Sequence, residues 1–254
     1  MSDRFGLDGR TAVVTGASRG LGRSMAEALA KAGAKVVLVG RDGDELGRVA
    51  AQLAGQSCDV VVRQLDLSQV DAIESWVEGV WSEVGPTEIV LHSAGHQRRA
   101  PAIEVDPTDW EQILTVNLTT PFFLSRAFGR RQIEAGLGGS HIFIGSLTTS
   151  RGIANTAPYA ASKAGLAGVV RTLAVEWASS GIRVNAIAPG YFRTALTEGL
   201  FQNPELSAWV HSRIPMGRLG VPDELGGAAV FLASEASSYM TGAVMGVDGG
   251  WLAG

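Results

Sequence analysis

The sequence predicts an α/β fold in which helices cover both faces of a parallel sheet. Three observations carry this. Short Val- and Ile-rich runs alternate with longer stretches of helical spacing along all 254 residues. A glycine-rich turn follows the first run and opens the first helical stretch. No Pro- or Ser-rich tract, charge block, repeat or shift in composition marks a linker, so a single domain spanning 1–254 is expected.

Strands buried on both faces read as near-continuous apolar runs. Seven such runs occur in order: 11–15, 35–39, 60–64, 88–92, 141–145, 183–188 and 243–247. Between them, apolar residues recur at helical spacing over 21–32, 44–54, 70–84, 110–135, 159–179 and 222–232. The segment 191–219 is the least regular. It is too long for an ordinary connection and is read as a substrate loop or lid.

Hydrophobic residues make up 46% of the chain and charged residues 18%, which excludes intrinsic disorder. The net charge is −4, so no basic excess is available to track a phosphate backbone, and nucleic acid is not an expected partner. No window of about 20 apolar residues predicts a membrane span. Residues 1–10 lack the apolar core of a signal peptide. A single cysteine, Cys58, rules out an intrachain disulfide, and the four histidines are scattered, so no metal site is expected. A cytoplasmic protein is the resulting expectation.

The turn after the first strand reads Thr15-Gly16-Ala17-Ser18-Arg19-Gly20-Leu21-Gly22. Glycines permit a tight turn and close backbone approach, and the helix N-terminus that follows offers unpaired N–H groups to a phosphate. A dinucleotide is the expected ligand. An NAD-selective site places a carboxylate at the end of the second strand, on the ribose 2′-hydroxyl. Here Gly40 stands at that place and Arg41 follows, with Arg19 in the glycine loop. Two arginines without a carboxylate suit a 2′-phosphate, hence NADP(H). Asp42 and Asp44 lie near enough in sequence to compete for Arg41. Asp66 and Leu67, after the third strand, either border the adenine or cap the next helix.

Tyr159 and Lys163 stand four residues apart in a helical stretch and therefore share a face. A free phenol has a pKa near about 10, and a neighbouring ammonium is expected to lower it toward working range. Ser146, after the fifth strand, is placed to hold a carbonyl oxygen near that phenol. Asn117 lies among Val, Leu and Phe, where an amide needs a partner; a water relaying protons from Lys163 is the expectation.

These motifs resemble the short-chain dehydrogenase/reductase family over essentially the whole chain. The matching pieces are the glycine turn at 15–22, Ser93-Ala94-Gly95, Asn117, Ser146, Tyr159 with Lys163, Pro189-Gly190 with Thr194, and Asp248-Gly249-Gly250. The resemblance implies a seven-stranded Rossmann sheet, hydride transfer between nicotinamide and a carbonyl or alcohol, and a homotetramer. It also implies that Lys163 binds the nicotinamide ribose, and that Pro189, Gly190, the Phe192 main chain and Thr194 surround the nicotinamide. One position departs: His92 replaces the first Asn of the usual Asn-Asn-Ala-Gly, so the brace supplied there needs other hydrogen bonds.

Segments 95–101, 144–148, 176–178 and 247–253 are similar to the sugar-acid dehydrogenases that act on gluconate and its 5-keto form. Arg99, after the nicotinamide loop, is then the candidate partner for a substrate carboxylate, with Ser146 and Tyr159 on the carbonyl. A rim ion pair with Glu104 or Asp106 is the alternative use of Arg99, and Arg98, Arg151, Arg193 and Arg213 are further candidates. Competing activities are 3-oxoacyl-thioester reduction, general carbonyl reduction and non-catalytic nucleotide sensing. The first needs a basic patch, for which the later helices offer only Arg126, Arg130 and Arg131. The intact Asn117, Ser146, Tyr159 and Lys163 set argues against the last.

Overall fold

The computed structural model describes residues 4–194 and 204–254. Its strands are β1 (Thr11–Thr15), β2 (Lys35–Gly40), β3 (Val60–Gln64), β4 (Ile89–His92), β5 (Gly139–Ile144), β6 (Ile182–Pro189) and β7 (Val244–Val247). The helices are α1 (Gly20–Lys31), α2 (Gly43–Ala54), α3 (Ile73–Val84), α4 (Pro107–Leu114), α5 (Thr120–Glu134), α6 (Ala157–Trp177), α7 (Pro204–Ser212) and α8 (Glu224–Ala233). Every strand pair is parallel, in the order β3-β2-β1-β4-β5-β6-β7.

Alternation along the strands distributes the core to two sides. Ala12, Val14, Val36, Leu38, Leu91 and Ile142 point into a layer built from α1, α2 and α8. Val13, Val37, Val39 and Val90 face α3 and α5, and Phe143, Val184 and Ala186 face α6. The chain winds outward from β1 through β3, then returns to place β4 on the other side of β1. The strand order reverses there, so the loops after β1 and β4 part and leave a crevice at their carboxyl ends.

The stretch expected as one helix over 110–135 is divided. A π-helical turn, Thr115–Thr119, separates α4 from α5. Pro121 explains the break, because it lacks the N–H that would bond the carbonyl of residue 117. The wider turn carries Asn117 into the interior, where it is fully buried. The segment 191–219 is described only in part. It contains α7, while residues 195–203 lie outside the described residues. No helix among the described residues is long and apolar enough to cross a membrane, and no group of His, Cys, Asp or Glu among them is arranged to hold a metal ion.

Candidate active site

The nucleotide end is shaped by backbone contact. A Cβ on Gly16 would lie 2.7 Å from the Ala94 nitrogen, and one on Gly22 would lie 2.3 Å from the Gly16 carbonyl oxygen. Gly16 also has a φ of +69°, which side chains disfavour. The turn after β1 thus nests against Ser93-Ala94-Gly95 after β4, and the Ala94 N–H donates to Thr15 Oγ1 at 3.3 Å. Arg19 at the N-cap of α1 makes no side-chain cap, so the first N–H groups of the helix face the crevice without a side-chain acceptor. Ser18 and Leu21 are half-buried along this turn. The cradle fits a pyrophosphate.

Arg19 and Arg41 are both exposed at its mouth. Of the two anticipated competitors, Asp42 is occupied elsewhere, since its carboxylate caps α2 by accepting from the Glu45 N–H at 3.0 Å. No carboxylate among the described residues forms an ion pair with either arginine. Asp66 accepts from the Ser68 N–H and hydroxyl, and these bonds, with a smaller pull from Arg41, hold its carboxyl below the usual range. Leu67 is buried, and its carbonyl accepts from the Thr120 hydroxyl at 2.6 Å.

At the chemistry end, Lys163 is buried and its Nζ donates to the Ile144 carbonyl at 2.7 Å. The ammonium sits 5.5 Å from the centre of the Tyr159 ring, and burial pushes its pKa down to about 8. Ser146 follows β5 as the N-cap of a short turn, where its hydroxyl accepts from the Thr148 N–H at 3.2 Å and lies close enough to the Tyr159 phenol to pull its pKa down. Tyr159 titrates above the ordinary phenol because it is desolvated. The Ser146 hydroxyl and the Arg99 charge pull the other way. The expectation that Lys163 lowers the phenol is therefore corrected: in this structure the opposing groups are Ser146 and Arg99.

Asn117 makes three hydrogen bonds. Its Oδ1 accepts from the His96 N–H at 2.7 Å, and its Nδ2 donates to the His96 carbonyl at 2.8 Å and to Ser162 Oγ at 3.1 Å. Ser162 in turn donates to the Tyr159 carbonyl at 2.7 Å. Asn117 thus clamps the loop after β4 to the helix that carries Tyr159, with one Oδ1 lone pair left for a water. Sequence reasoning missed His96 and Ser162, whose contributions run through main-chain atoms and a hydroxyl without a motif of their own.

Arg99 does not form the rim ion pair considered as its alternative. Its neighbour Arg98 pairs with Asp109 at 2.6 Å, whereas the Arg99 charge pulls against burial at the phenols of both Tyr191 and Tyr159. Tyr191 was also missed, because its segment has no periodicity to place it. Pro189 and Gly190 end β6 beside β7, and the Gly190 N–H donates to the Val247 carbonyl at 2.9 Å. The Phe192 ring is buried while its main chain bridges to Gly220. Thr194 is half-buried at the last described position before 195–203.

His92 finds its replacement hydrogen bonds in a buried chain. Gln132 Nε2 donates to the Thr87 carbonyl at 2.8 Å, so Gln132 Oε1 must accept from His141 Nε2 at 3.0 Å. His141 Nδ1 then accepts from the Ser125 hydroxyl at 3.0 Å, and Ser125 accepts from His92 Nε2 at 2.7 Å. Every donor has an acceptor only when both rings are neutral and carry the proton on Nε2. His92 Nδ1 remains without a partner. Desolvation holds His92 well below the ordinary histidine range and His141 at about 3.

The unfolded chain therefore binds more protons than the native one below pH 6.5, and the stabilisation from these neutral rings is lost as pH falls from 6.5 toward 3. Each pH unit in that window is expected to cost about 1.4 kcal/mol per histidine. Thermal unfolding between pH 7.5 and 4.5, compared with His141→Asn, measures this. An unchanged slope in the variant would refute it.

A family model described as Enoyl-(Acyl carrier protein) reductase matches residues 16–252. The chain belongs to the short-chain dehydrogenase/reductase family, as its loop, sheet order and Ser146/Tyr159/Lys163 group also indicate. Among its relatives, gluconate 5-dehydrogenase of Gluconobacter oxydans (strain 621H) is 38% identical over 248 residues, covering 98% of this chain and 96% of that one. Galactitol 2-dehydrogenase (L-tagatose-forming) of Cereibacter sphaeroides is 40% identical over 252 residues, covering 97% and 96%. The crystal structure of a gluconate 5-dehydrogenase from Burkholderia cenocepacia J2315 in complex with NADP and tartrate superposes with a TM-score of 0.96, at 36% identity, covering 99% of this chain and 98% of that one.

Proposed function

We propose that this protein is an NADP(H)-dependent oxidoreductase acting on a secondary alcohol or ketone of a sugar acid, with gluconate and 5-ketogluconate as the type of substrate pair. One observation carries the reading. At the carboxyl end of β5, the Lys163 ammonium stands 5.5 Å from the Tyr159 ring and 4.0 Å from a Cβ built on Gly95, in the loop that abuts the glycine cradle, with Ser146 two residues beyond the carbonyl that Lys163 holds. The likeness to gluconate 5-dehydrogenases supports the substrate class.

Bound NADP(H) supplies or accepts the hydride. The chain's residues do the rest. Gly16, Gly20 and Gly22 admit the pyrophosphate, Arg19 and Arg41 receive the 2′-phosphate, and Asp66 with Leu67 borders the adenine. Ser93, Ala94 and Gly95 floor the site, and Pro189, Gly190, the Phe192 main chain and Thr194 wall the nicotinamide. Ser146 and Tyr159 donate to the substrate carbonyl oxygen in reduction, and Tyr159 gives up its proton to that oxygen. Lys163 holds positive charge beside the phenol and reaches the ribose, and Asn117 keeps the loop and helix in register. The segment 191–219 acts as the substrate lid of a single domain, and the protein works as a cytoplasmic homotetramer.

In this reading Arg99 anchors the substrate carboxylate, which fixes the face presented at the carbonyl. Arg99→Leu keeps the volume and removes the charge. It is expected to cost about 2–3 kcal/mol in kcat/KM with a keto acid and far less with its methyl ester. Measuring both substrates on both proteins separates a lost ion pair from a disturbed fold. Equal losses on acid and ester would make Arg99 structural and leave a general carbonyl reductase.

A further inference from the structure

We propose that Thr149 is a positioning residue for the reaction: its hydroxyl fixes the main chain of Ser146 and, through it, the direction in which the Ser146 hydroxyl meets the substrate carbonyl. This deepens the proposed function and rests on the part of it that places Ser146 on that carbonyl. A reciprocal pair of hydrogen bonds carries the inference. Thr149 Oγ1 accepts from the Ser146 N–H at 3.0 Å, and Ser146 Oγ accepts from the Thr148 N–H at 3.2 Å. Together they form a capping box on the short turn Leu147–Thr149, with the catalytic serine itself as the cap.

Each bond fixes a different part of Ser146. Its backbone is fully extended, at φ −167° and ψ 169°, a conformation open to any residue, so the main chain alone does not hold the serine in place. The Thr149 hydroxyl holds the N–H, and the Thr148 N–H occupies one lone pair of Oγ. A serine hydroxyl has one proton and two lone pairs. What remains is the proton, to donate to a carbonyl oxygen, and one lone pair. The capping box therefore leaves the hydroxyl in the state that its role in reduction requires.

The surroundings explain why this task falls to residue 149. Leu147 and Thr148 are buried, and Leu147 packs with Val210, Ile214, Leu219 and Trp251, so the middle of the turn is locked into the interior. Ser146 is half-buried and lacks that support. On its other side, the Gly145 N–H donates to the Ile187 carbonyl of β6 at 2.7 Å. A Cβ on Gly145 would stand 3.0 Å from Thr149 Oγ1 and 3.4 Å from the Ile187 carbonyl oxygen. Glycine there gives the threonine room to bring its hydroxyl onto the Ser146 N–H. A residue at 149 without an acceptor would leave that N–H unpaired and the serine free to turn out of line. Misplacing a reacting group by about 1 Å can cost about 10²-fold in rate.

Thr149→Val keeps the shape and removes the acceptor, whereas Thr149→Ser keeps the acceptor. In reduction of 5-ketogluconate by NADPH, Thr149→Val should lower kcat by roughly tenfold or more and leave the NADPH KM unchanged, and Thr149→Ser should restore most of the loss. Thr149→Ala, measured in parallel, should show the same loss. Thermal unfolding and NADPH fluorescence titration establish that each variant is folded and binds the cofactor. The deciding measurement repeats Thr149→Val in Ser146→Ala, with enzyme raised to keep the rate measurable. There it should have no further effect, because Thr149 acts only through the Ser146 hydroxyl. Undiminished kcat in both Thr149→Val and Thr149→Ala, or no recovery in Thr149→Ser, would overturn the proposal. An equal loss in the Ser146→Ala background would also overturn it and make Thr149 purely structural. Failure of the underlying reading looks different: Ser146→Ala by itself then turns over as fast as wild type, which removes the carbonyl contact that Thr149 would serve.

Discussion

Tyr159→Phe is expected to lower turnover by at least a hundredfold in both directions, within the about 10²- to 10⁴-fold range that a positioned acid–base group contributes. The substitution removes one hydroxyl and keeps the ring, so NADPH binding should stay nearly intact. The environment gives this a pH signature. Burial raises the phenol, so Tyr159 is protonated at neutral pH, the form needed to donate in reduction. Oxidation needs the phenolate, so its kcat/KM should rise with pH where that of reduction falls. Steady-state rates with both reactions, alongside NADPH titration of the variant, decide the matter. Retention of more than a tenth of wild-type turnover would exclude Tyr159 as the proton donor. Lys163→Ala should weaken both turnover and cofactor affinity, because its ammonium lies beside the ring and faces the same chamber.

The second large effect concerns the cofactor. NADPH should exceed NADH in kcat/KM by roughly a hundredfold. Each charge-assisted contact contributes about 1.5–3 kcal/mol, and about 1.4 kcal/mol is tenfold. Arg19 and Arg41 provide two such contacts, with Gly40 where a carboxylate would repel the phosphate and Asp42 turned into its own helix cap. The double variant Arg19→Leu/Arg41→Leu should lose most of the NADPH preference and change kcat/KM with NADH little. A wild-type enzyme that uses both cofactors equally, or prefers NADH, would refute the assignment.

Much of this protein is legible in its residues taken in order. The seven strands match the Val- and Ile-rich runs to within about two residues, because a strand buried on both faces admits little else. The glycine turn announces itself because only glycine tolerates the approach of residue 94. Tyr159 and Lys163 are readable because helix geometry alone brings residues four apart to one face. Sequence also places Asp42 and Arg41 side by side but cannot say which group each will face.

The sequence by itself therefore determined the parallel sheet, the nucleotide turn and the Tyr159/Lys163 pair, since each depends on local periodicity or local backbone freedom. Only the tertiary structure decided the rest. The break at Pro121 turned Asn117 inward to clamp His96, and packing of β4 and β5 against α5 joined His92 to His141 through Ser125. Burial, not the neighbouring ammonium, governs the Tyr159 phenol, and the meeting of Arg99 with Tyr191 joins segments about 90 residues apart. The physical reason is common to all of these. Desolvation and long-range contact depend on what the rest of the chain brings against a side chain, and no window of sequence contains that information.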